Sequence, residues 1–488
     1  MSKLILAFDI GTSSSRTALF DETGQRIIES TAQETYPLLT TPEGGAELEP
    51  TVLLTAIRTC LAKTLEFARS NTNTKGTPIA GIGVSCFWHS LIGTDSTGKP
   101  VTNIITWADA RCREEAAELR RDLSEREVHA TTGCMLRTSF WPAKLIWLKK
   151  NHPSLFKKVT LWMSPAEWLQ QTLTGKSNCA LGMATGTGLF NPTTLQWDDA
   201  LLERCDVRKS QLLPLSDEPT VISGTLADEY PELDGVPWFP GIGDGAASNL
   251  GSGCTSPGLA AINVGTSAAL RILCEGEKAA APFGLFCYRV DAKRYLVGGA
   301  VSNAGILRAW CLRELKIDAS TDLEEELAAR PAPDHGLTVL PFWSAERAPT
   351  WNEDIRGSII GINHSTTSID LLQAITESTY HRIAQIAELL IESIQTPPKF
   401  FISGGIQKSP TTLQRLADVL NQPLYANPEP EASIRGAAIY AMEKLNIPVT
   451  PLPESEPLLP RPEYAERYLV ARKKQMALEQ LLERHFKE

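Results

Sequence analysis

Two stretches of this sequence end an apolar run in the same polar turn. Residues 4–9 lead into Gly11-Thr12-Ser13-Ser14, and residues 259–264 lead into Gly265-Thr266-Ser267, about half a chain later. A tight Gly-Thr-Ser turn aims backbone N–H groups and hydroxyls at one point, which binds phosphate without needing a cation. Two facing copies would grip the phosphates of a nucleotide from both sides. The copies differ at one position. Asp9 stands two residues before the first glycine, and Asn263 occupies the equivalent place in the second. Asp9 adds a hard oxygen ligand suited to Mg2+ or its water shell, whereas Asn263 adds none. One copy is therefore expected to hold metal and the other only phosphate.

Other chemistry-bearing groups cluster elsewhere. Gly241-Ile242-Gly243-Asp244-Gly245-Ala246-Ala247 follows a short apolar strand and opens a small-residue helix. The flanking glycines let a ligand approach Asp244, which reads equally well as a helix cap or as a reacting carboxylate. Trp88-His89-Ser90 closes one strand, and Trp107-Ala108-Asp109-Ala110-Arg111 follows the next. A Trp face stacks on a sugar while His, Asp and Arg bond its hydroxyls. Taken alone, Trp88 and Trp107 read as core. Residues 93–99, Gly-Thr-Asp-Ser-Thr-Gly-Lys, imitate a Walker A loop, but Pro100 stands where Ser or Thr should ligate magnesium. That segment reads as a polar hairpin turn.

The elements that must position these groups follow the same repeated order. Residues 4–9, 17–20 and 25–32 predict an antiparallel meander, followed by a helix over 51–69 and a buried strand over 79–84. The second half repeats this with strands at 259–264, 270–273, 285–290 and 294–297, a long helix over 369–394 and a strand at 399–403. The repeat implies a duplicated α/β unit, two lobes around a cleft, with the boundary near 243–258. A Pro-rich tract, 448–462, precedes a last helix over 463–486. The lengths suit two or three domains in 488 residues. A net charge of −10 with no long basic run argues against a duplex-binding surface. The apolar N-terminal run breaks at Asp9, too early for a signal peptide, and no stretch approaches a membrane span. Ten Cys without a Cys-x-x-Cys pair read as buried, reduced thiols, which fits a cytoplasmic protein.

Taken in order, these motifs resemble the FGGY carbohydrate kinases, built on the two-lobed actin-like ATPase (ribonuclease H-like) fold. Asp9-Ile10-Gly11-Thr12-Ser13 and Val264-Gly265-Thr266-Ser267 resemble the family's phosphate loops. Residues 357–362 with Asp370 and Glu377 resemble its second signature, from which Thr376 departs. Ser403-Gly404-Gly405 and residues 431–438 resemble the adenosine pocket and its adjacent helix. The resemblance implies lobes over 1–247 and 248–446 and a terminal unit over 447–488. It implies ATP with Mg2+ held at Asp9, and nucleotide contacts from Gly11, Thr12, Ser13, Ser14, Arg16, Gly265, Thr266, Ser267, Gly404, Gly405, Lys408 and Glu431. Asp244 becomes the catalytic base, and Trp88, His89, Trp107, Asp109, Arg111 and Arg137 become acceptor contacts. Glu346-Arg347-Ala348-Pro349 also resembles a family motif and reads as structural.

The Trp-Ala-Asp-x-Arg pattern and residues 186–191 and 249–253 resemble the gluconate-phosphorylating branch. Departures stand at Trp88, Arg137 and Trp141, the last three residues before Lys144. The expected activity is ATP-dependent phosphorylation of gluconate at its terminal hydroxyl, with Arg111 or Arg137 clamping the carboxylate. A ketopentose such as xylulose is the alternative acceptor. An actin-like or chaperone-like ATPase without a sugar is the alternative of another class, though it leaves the Trp-His and Trp-x-Asp-x-Arg clusters without a use. The expected partner is a small sugar or sugar acid, with a homodimer as an option.

Overall fold

The computed structural model describes residues 3–318 and 321–485. The N-terminal lobe starts with strands β1 (Leu4–Ile10), β2 (Ser14–Phe20) and β3 (Arg26–Thr35), each antiparallel to the one before it. Helix α1 (Pro50–Ser70) follows, with proline at its start, where a missing N–H costs nothing. Its buried stripe of Leu53, Ile57, Leu61 and Leu65 recurs at helical spacing and joins the core beneath the sheet. Strand β4 (Ile79–Cys86) then lies parallel on β1. Both faces of this sheet are covered, so β1 and β4 are apolar almost throughout.

The second lobe repeats that order. After helix α2 (Asp244–Gly251) come β5 (Leu259–Val264), β6 (Ala268–Glu275), β7 (Phe286–Arg289) and β8 (Arg294–Val301). Strand β6 is antiparallel to β5, and β8 pairs β6 on its other side. The long helix α3 (Ser368–Ile394) starts at a capping box of Thr367 and Asp370. It leads to β9 (Lys399–Ser403), which lies parallel on β5 as β4 lies on β1. Strand order thus matches between the sheets, as the repeated turns imply.

Helix α4 (Pro410–Leu420), helix α5 (Ala432–Lys444) and the terminal helix α6 (Pro462–His485) complete the chain described here. Although α5 falls within the 248–446 stretch, it packs on β1 and β4 of the first lobe and crosses α2. Ala437, Tyr440 and Met442 accordingly belong to the first lobe's apolar core. The α2–α5 crossing is close because both helices place glycine at the contact. A Cβ on Gly436 would lie 1.7 Å from the Ala247 carbonyl oxygen, and one on Gly251 would lie 1.8 Å from that of Ala432. Helix α6 is tied to the second lobe: Arg382 on α3 pairs with Glu479, and Tyr468 donates to Glu377 at 2.9 Å.

Residues 93–99 form the turn predicted for them. The Asp95 amide donates to the Lys99 carbonyl at 3.0 Å, and Thr94 bridges Pro100 across the turn. All ten cysteines are free and buried. Among the described residues no helix is long and apolar enough to cross a membrane.

Candidate active site

Both Gly-Thr-Ser turns leave the end of a central strand and face the gap between the sheets. In the first, the Gly11 amide donates to the Ser14 carbonyl at 2.9 Å; in the second, the Gly265 amide donates to Ser267 at the same length. The residues preceding the turns are matched as well. Asp9 pairs in register with Ser85 on β4, and Asn263 pairs with Ser403 on β9. Ser85 Oγ donates to Asp9 at 2.9 Å, whereas Asn263 Nδ2 donates to Ser403 Oγ at 3.0 Å. The two lobes therefore hold one structural position with opposite electrical character.

Burial raises the Asp9 pKa to about 6; Ser85 and Arg16 pull it down, and Asp244 and Glu431 push it further up. Asp9 is the carboxylate at the turn whose own side chain has no ion pair among the described residues, and its hard oxygens suit a divalent cation. No cluster of three metal-ligating side chains exists among the described residues. Such a cation would share its remaining positions with water and phosphate oxygens. Arg16 and Glu431 form an ion pair that joins β2 to the start of α5.

Beyond the second turn lies a cavity of about 680 Å³, lined by Gly265, Thr266, Gly405, Lys408, Ser409, Arg308, Thr376 and Tyr380. Its volume suits a nucleoside. Gly305 opens the next helix with its amide on the Gly265 carbonyl at 2.9 Å, and the backbones touch so closely that a Cβ there would lie 2.3 Å from that oxygen. Gly404 has φ +93°, and a Cβ would lie 2.5 Å from the Val264 carbonyl. Glycine is thus required where β9 turns away from the second Gly-Thr-Ser turn. Thr376, the departure from the signature, spends its hydroxyl on the Leu372 carbonyl at 2.8 Å.

On the opposite side, Asp244 is the first residue of α2, with Gly243 at the cap. Its carboxylate accepts the Gly245 amide at 2.7 Å. Solvent reaches it through the cleft, but the surrounding protein raises its pKa above the ordinary carboxylate range, against the pull of Arg271 and Arg347. Trp88 wedges beneath this helix start. Its indole N–H donates to the Gly182 carbonyl at 2.9 Å, and a Cβ on Gly243 would lie 1.7 Å from its ring. Trp88 is therefore the floor that fixes Asp244. Next to it, His89 holds a left-handed backbone (φ 65°) and shares Nδ1 with the Gly186 carbonyl at 2.5 Å. Burial depresses its pKa to about 3, so the ring is neutral. Nδ1 must carry the proton to meet a carbonyl, which leaves Nε2 as an acceptor for a hydroxyl. Lys144 Nζ donates to the carbonyls of His89 at 2.9 Å and Ser139 at 2.7 Å, holding that backbone in place.

The remaining expected acceptor contacts fall differently. Trp107 is 37% exposed, and the Arg347 guanidinium lies 5.6 Å over its ring. Asp109 is buried and accepts the Ala46 amide at 2.9 Å and Arg111 Nε at 3.0 Å. Arg111 also pairs with Glu47 and stacks 4.3 Å over Trp147. Arg137, expected to be a carboxylate clamp or a surface charge, is buried; it pairs with Glu125 and donates to the Trp351 carbonyl at 2.9 Å. Neither arginine offered as a clamp is free. The cations that converge on Asp244 are Arg271 and Arg347, neither of them among the acceptor contacts expected from the sequence. A lone charge within Leu270-Arg271-Ile272-Leu273, an otherwise apolar strand, was the available signal for Arg271.

Residues 4–251 match the N-terminal domain, and residues 260–444 the C-terminal domain, of the FGGY family of carbohydrate kinases. The chain belongs to this family and has its two-lobed, actin-like ATPase fold. It is 27% identical to the gluconokinase of Bacillus subtilis (strain 168), over 91% of this chain and 89% of that one. The gluconate kinase of Lactobacillus acidophilus superposes with a TM-score of 0.90 at 27% identity, covering 99% of both chains. The xylulose kinase of the same organism gives 0.89, also at 27% identity, covering 98% of both.

Proposed function

We propose that this carbohydrate kinase transfers the terminal phosphoryl group of ATP to the terminal hydroxyl of gluconate. The observation that carries the reading is the placement of Asp9 and Asp244 at neighbouring strand ends of one sheet, with β4 between them and near enough for the charge of Asp244 to reach Asp9, beside the first of the two Gly-Thr-Ser turns. The turns grip the nucleotide's phosphates, with the base in the cavity beside Lys408 and Gly405. Magnesium, arriving with the nucleotide, would be met by Asp9 and would neutralise phosphate charge. Asp244 orients the acceptor hydroxyl and takes its proton. Phosphoryl transfer has a loose transition state, so this positioning matters more than basicity. The raised Asp244 pKa still makes it a better proton acceptor than a free aspartate. His89 Nε2 accepts a neighbouring hydroxyl, and Trp88 fixes the helix start that carries the base.

The similarity to gluconokinases supports the choice of acceptor, together with two guanidinium groups that lie near Asp244. The xylulose kinase of equal similarity makes a ketopentose the second reading. ADP release is measured with gluconate, xylulose, ribulose and glycerol. The highest kcat/KM is expected for gluconate; a neutral acceptor ahead of it refutes the assignment, and ADP release that ignores every acceptor refutes the kinase cycle.

A further inference from the structure

Buried charge needs a partner, and the cleft contains two arginines, Arg271 and Arg347, that form no ion pair with any described residue. Arg111 and Arg137 are each neutralised by carboxylates, and Lys144 is held by two carbonyls. Arg271 forms no ion pair, and its Nη1 is sealed from solvent without a hydrogen-bond partner. An unpaired buried guanidinium N–H is costly, which marks the place where a ligand atom completes the site. The fold makes room for this side chain. A Cβ on Gly298, opposite Arg271 across the β6–β8 pair, would lie 3.0 Å from Arg271 Cγ, and one on Gly245, next to Asp244, would lie 2.9 Å from Arg271 Nε. The guanidinium is therefore threaded between two glycines to reach the acceptor end of the cleft.

Arg347 reaches the same place from another segment. Its Nε donates to Ser302 Oγ at 3.1 Å and its guanidinium carbon lies over Trp107, while neither Nη group has a hydrogen-bond partner among the described residues. Asp244 is the one carboxylate that both arginines sense at the acceptor end, where His89 is neutral. Arg347 also has the buried Glu346 carboxyl beside it, though burial raises the Glu346 pKa to about 7.

We infer that Arg271 and Arg347 form an anion subsite that recognises the carboxylate of a sugar-acid acceptor, the place the sequence reading gave to Arg111 or Arg137. The inference rests on the proposed kinase reading and names the residues that give it an acidic substrate. A fork of fixed N–H donors suits a planar carboxylate, and a neutral polyol leaves the pair uncompensated. A second anion passes through this cleft, the phosphoryl group in transfer, and the two sources make different demands. A carboxylate subsite acts on one class of acceptor and before nucleotide binds. A phosphoryl contact acts on every acceptor and only during turnover.

Gluconate and glucitol, which differ at C1 alone, separate them. Binding is followed without nucleotide by calorimetry, and kcat and KM are then measured for both. In Arg271→Leu, gluconate affinity should fall about 10- to 100-fold, the worth of charge-assisted hydrogen bonds, while glucitol changes far less. Arg271→Lys should recover part of the loss, and Arg347→Met should show the same selectivity from an independent site should Arg271→Leu fail to fold. Equal loss of kcat for both acceptors assigns Arg271 to the phosphoryl group and overturns the inference. Unchanged gluconate affinity in both folded variants also overturns it while leaving the kinase reading intact. Absence of ADP release from the wild type with gluconate instead refutes the reading on which the inference rests.

Discussion

Asp9 and Asp244 are both carboxylates with raised pKa values, and they predict different behaviour. Replacing Asp244 by Asn keeps the shape and removes the proton acceptor, so kcat should fall about 10²–10⁴-fold with little change in nucleotide affinity. Near-normal turnover would exclude it as base. In the wild type, kcat/KM should rise with pH through a pKa above the usual carboxylate range, because Asp244 must be ionised to act. For Asp9 the sign of the stability effect is reversed from that of a salt-bridged carboxylate. The unfolded chain ionises it near 3.8 and the fold resists until about 6, so the apo protein loses stability as pH rises through that window. Asp9→Asn should therefore raise the apo melting temperature at pH 8 and not at pH 4, while weakening magnesium-dependent nucleotide binding. Thermal scans at the two pH values and a magnesium titration check both halves.

At the scale of elements, the contacts that hold helices in place are specific enough to test. Glu377 on α3 accepts from Tyr468 and Gln373 at 2.9 Å and pairs with Arg415 and His335. Its ordinary carboxylate pKa is lowered by these partners despite burial. Glu377→Ala leaves Arg415 buried and unpaired, and denaturant unfolding should show a loss of about 3–5 kcal/mol. Gly436→Ala forces a methyl into the Ala247 carbonyl and should cost about 1–3 kcal/mol, with altered turnover because the same crossing carries α2 and Asp244. Strand runs such as 399–403 and the amphipathic 369–394 helix were legible in the sequence because their periodicity is local. The packing of α5 on the opposite lobe was not, since an apolar helix does not declare which sheet it covers. Arg271 and Arg347 were hidden for a related reason: each is recognised only by what other segments fail to offer it.

For the whole molecule, the two sheets meet at the α2–α5 crossing, and the site lies between them. Arg435 on α5 ties this region together, donating to the carbonyls of Gly24 in the first lobe at 3.2 Å, Gly251 at the end of α2 at 2.6 Å and Thr450 in the Pro-rich tract at 3.3 Å. Closure about this crossing would exclude water and spare ATP from hydrolysis. Small-angle scattering with acceptor and a non-hydrolysable nucleotide should show a smaller radius of gyration than the free protein; an unchanged radius counts against closure.

The matched pairs Asp9–Ser85 and Asn263–Ser403 give the molecule a direction. Two similar lobes facing each other accept a phosphate chain either way round as far as their backbones are concerned, but the nucleotide has a head and a tail. On the proposed reading one oxygen in place of one nitrogen breaks the tie: the tail to be given away would rest against the lobe that carries Asp9, and the head would lie toward the lobe that carries Asn263. A duplicated fold would thus become a one-way device by a difference smaller than a methyl group, and Asn263→Asp, which restores the symmetry, should blur which end of the nucleotide meets the acceptor.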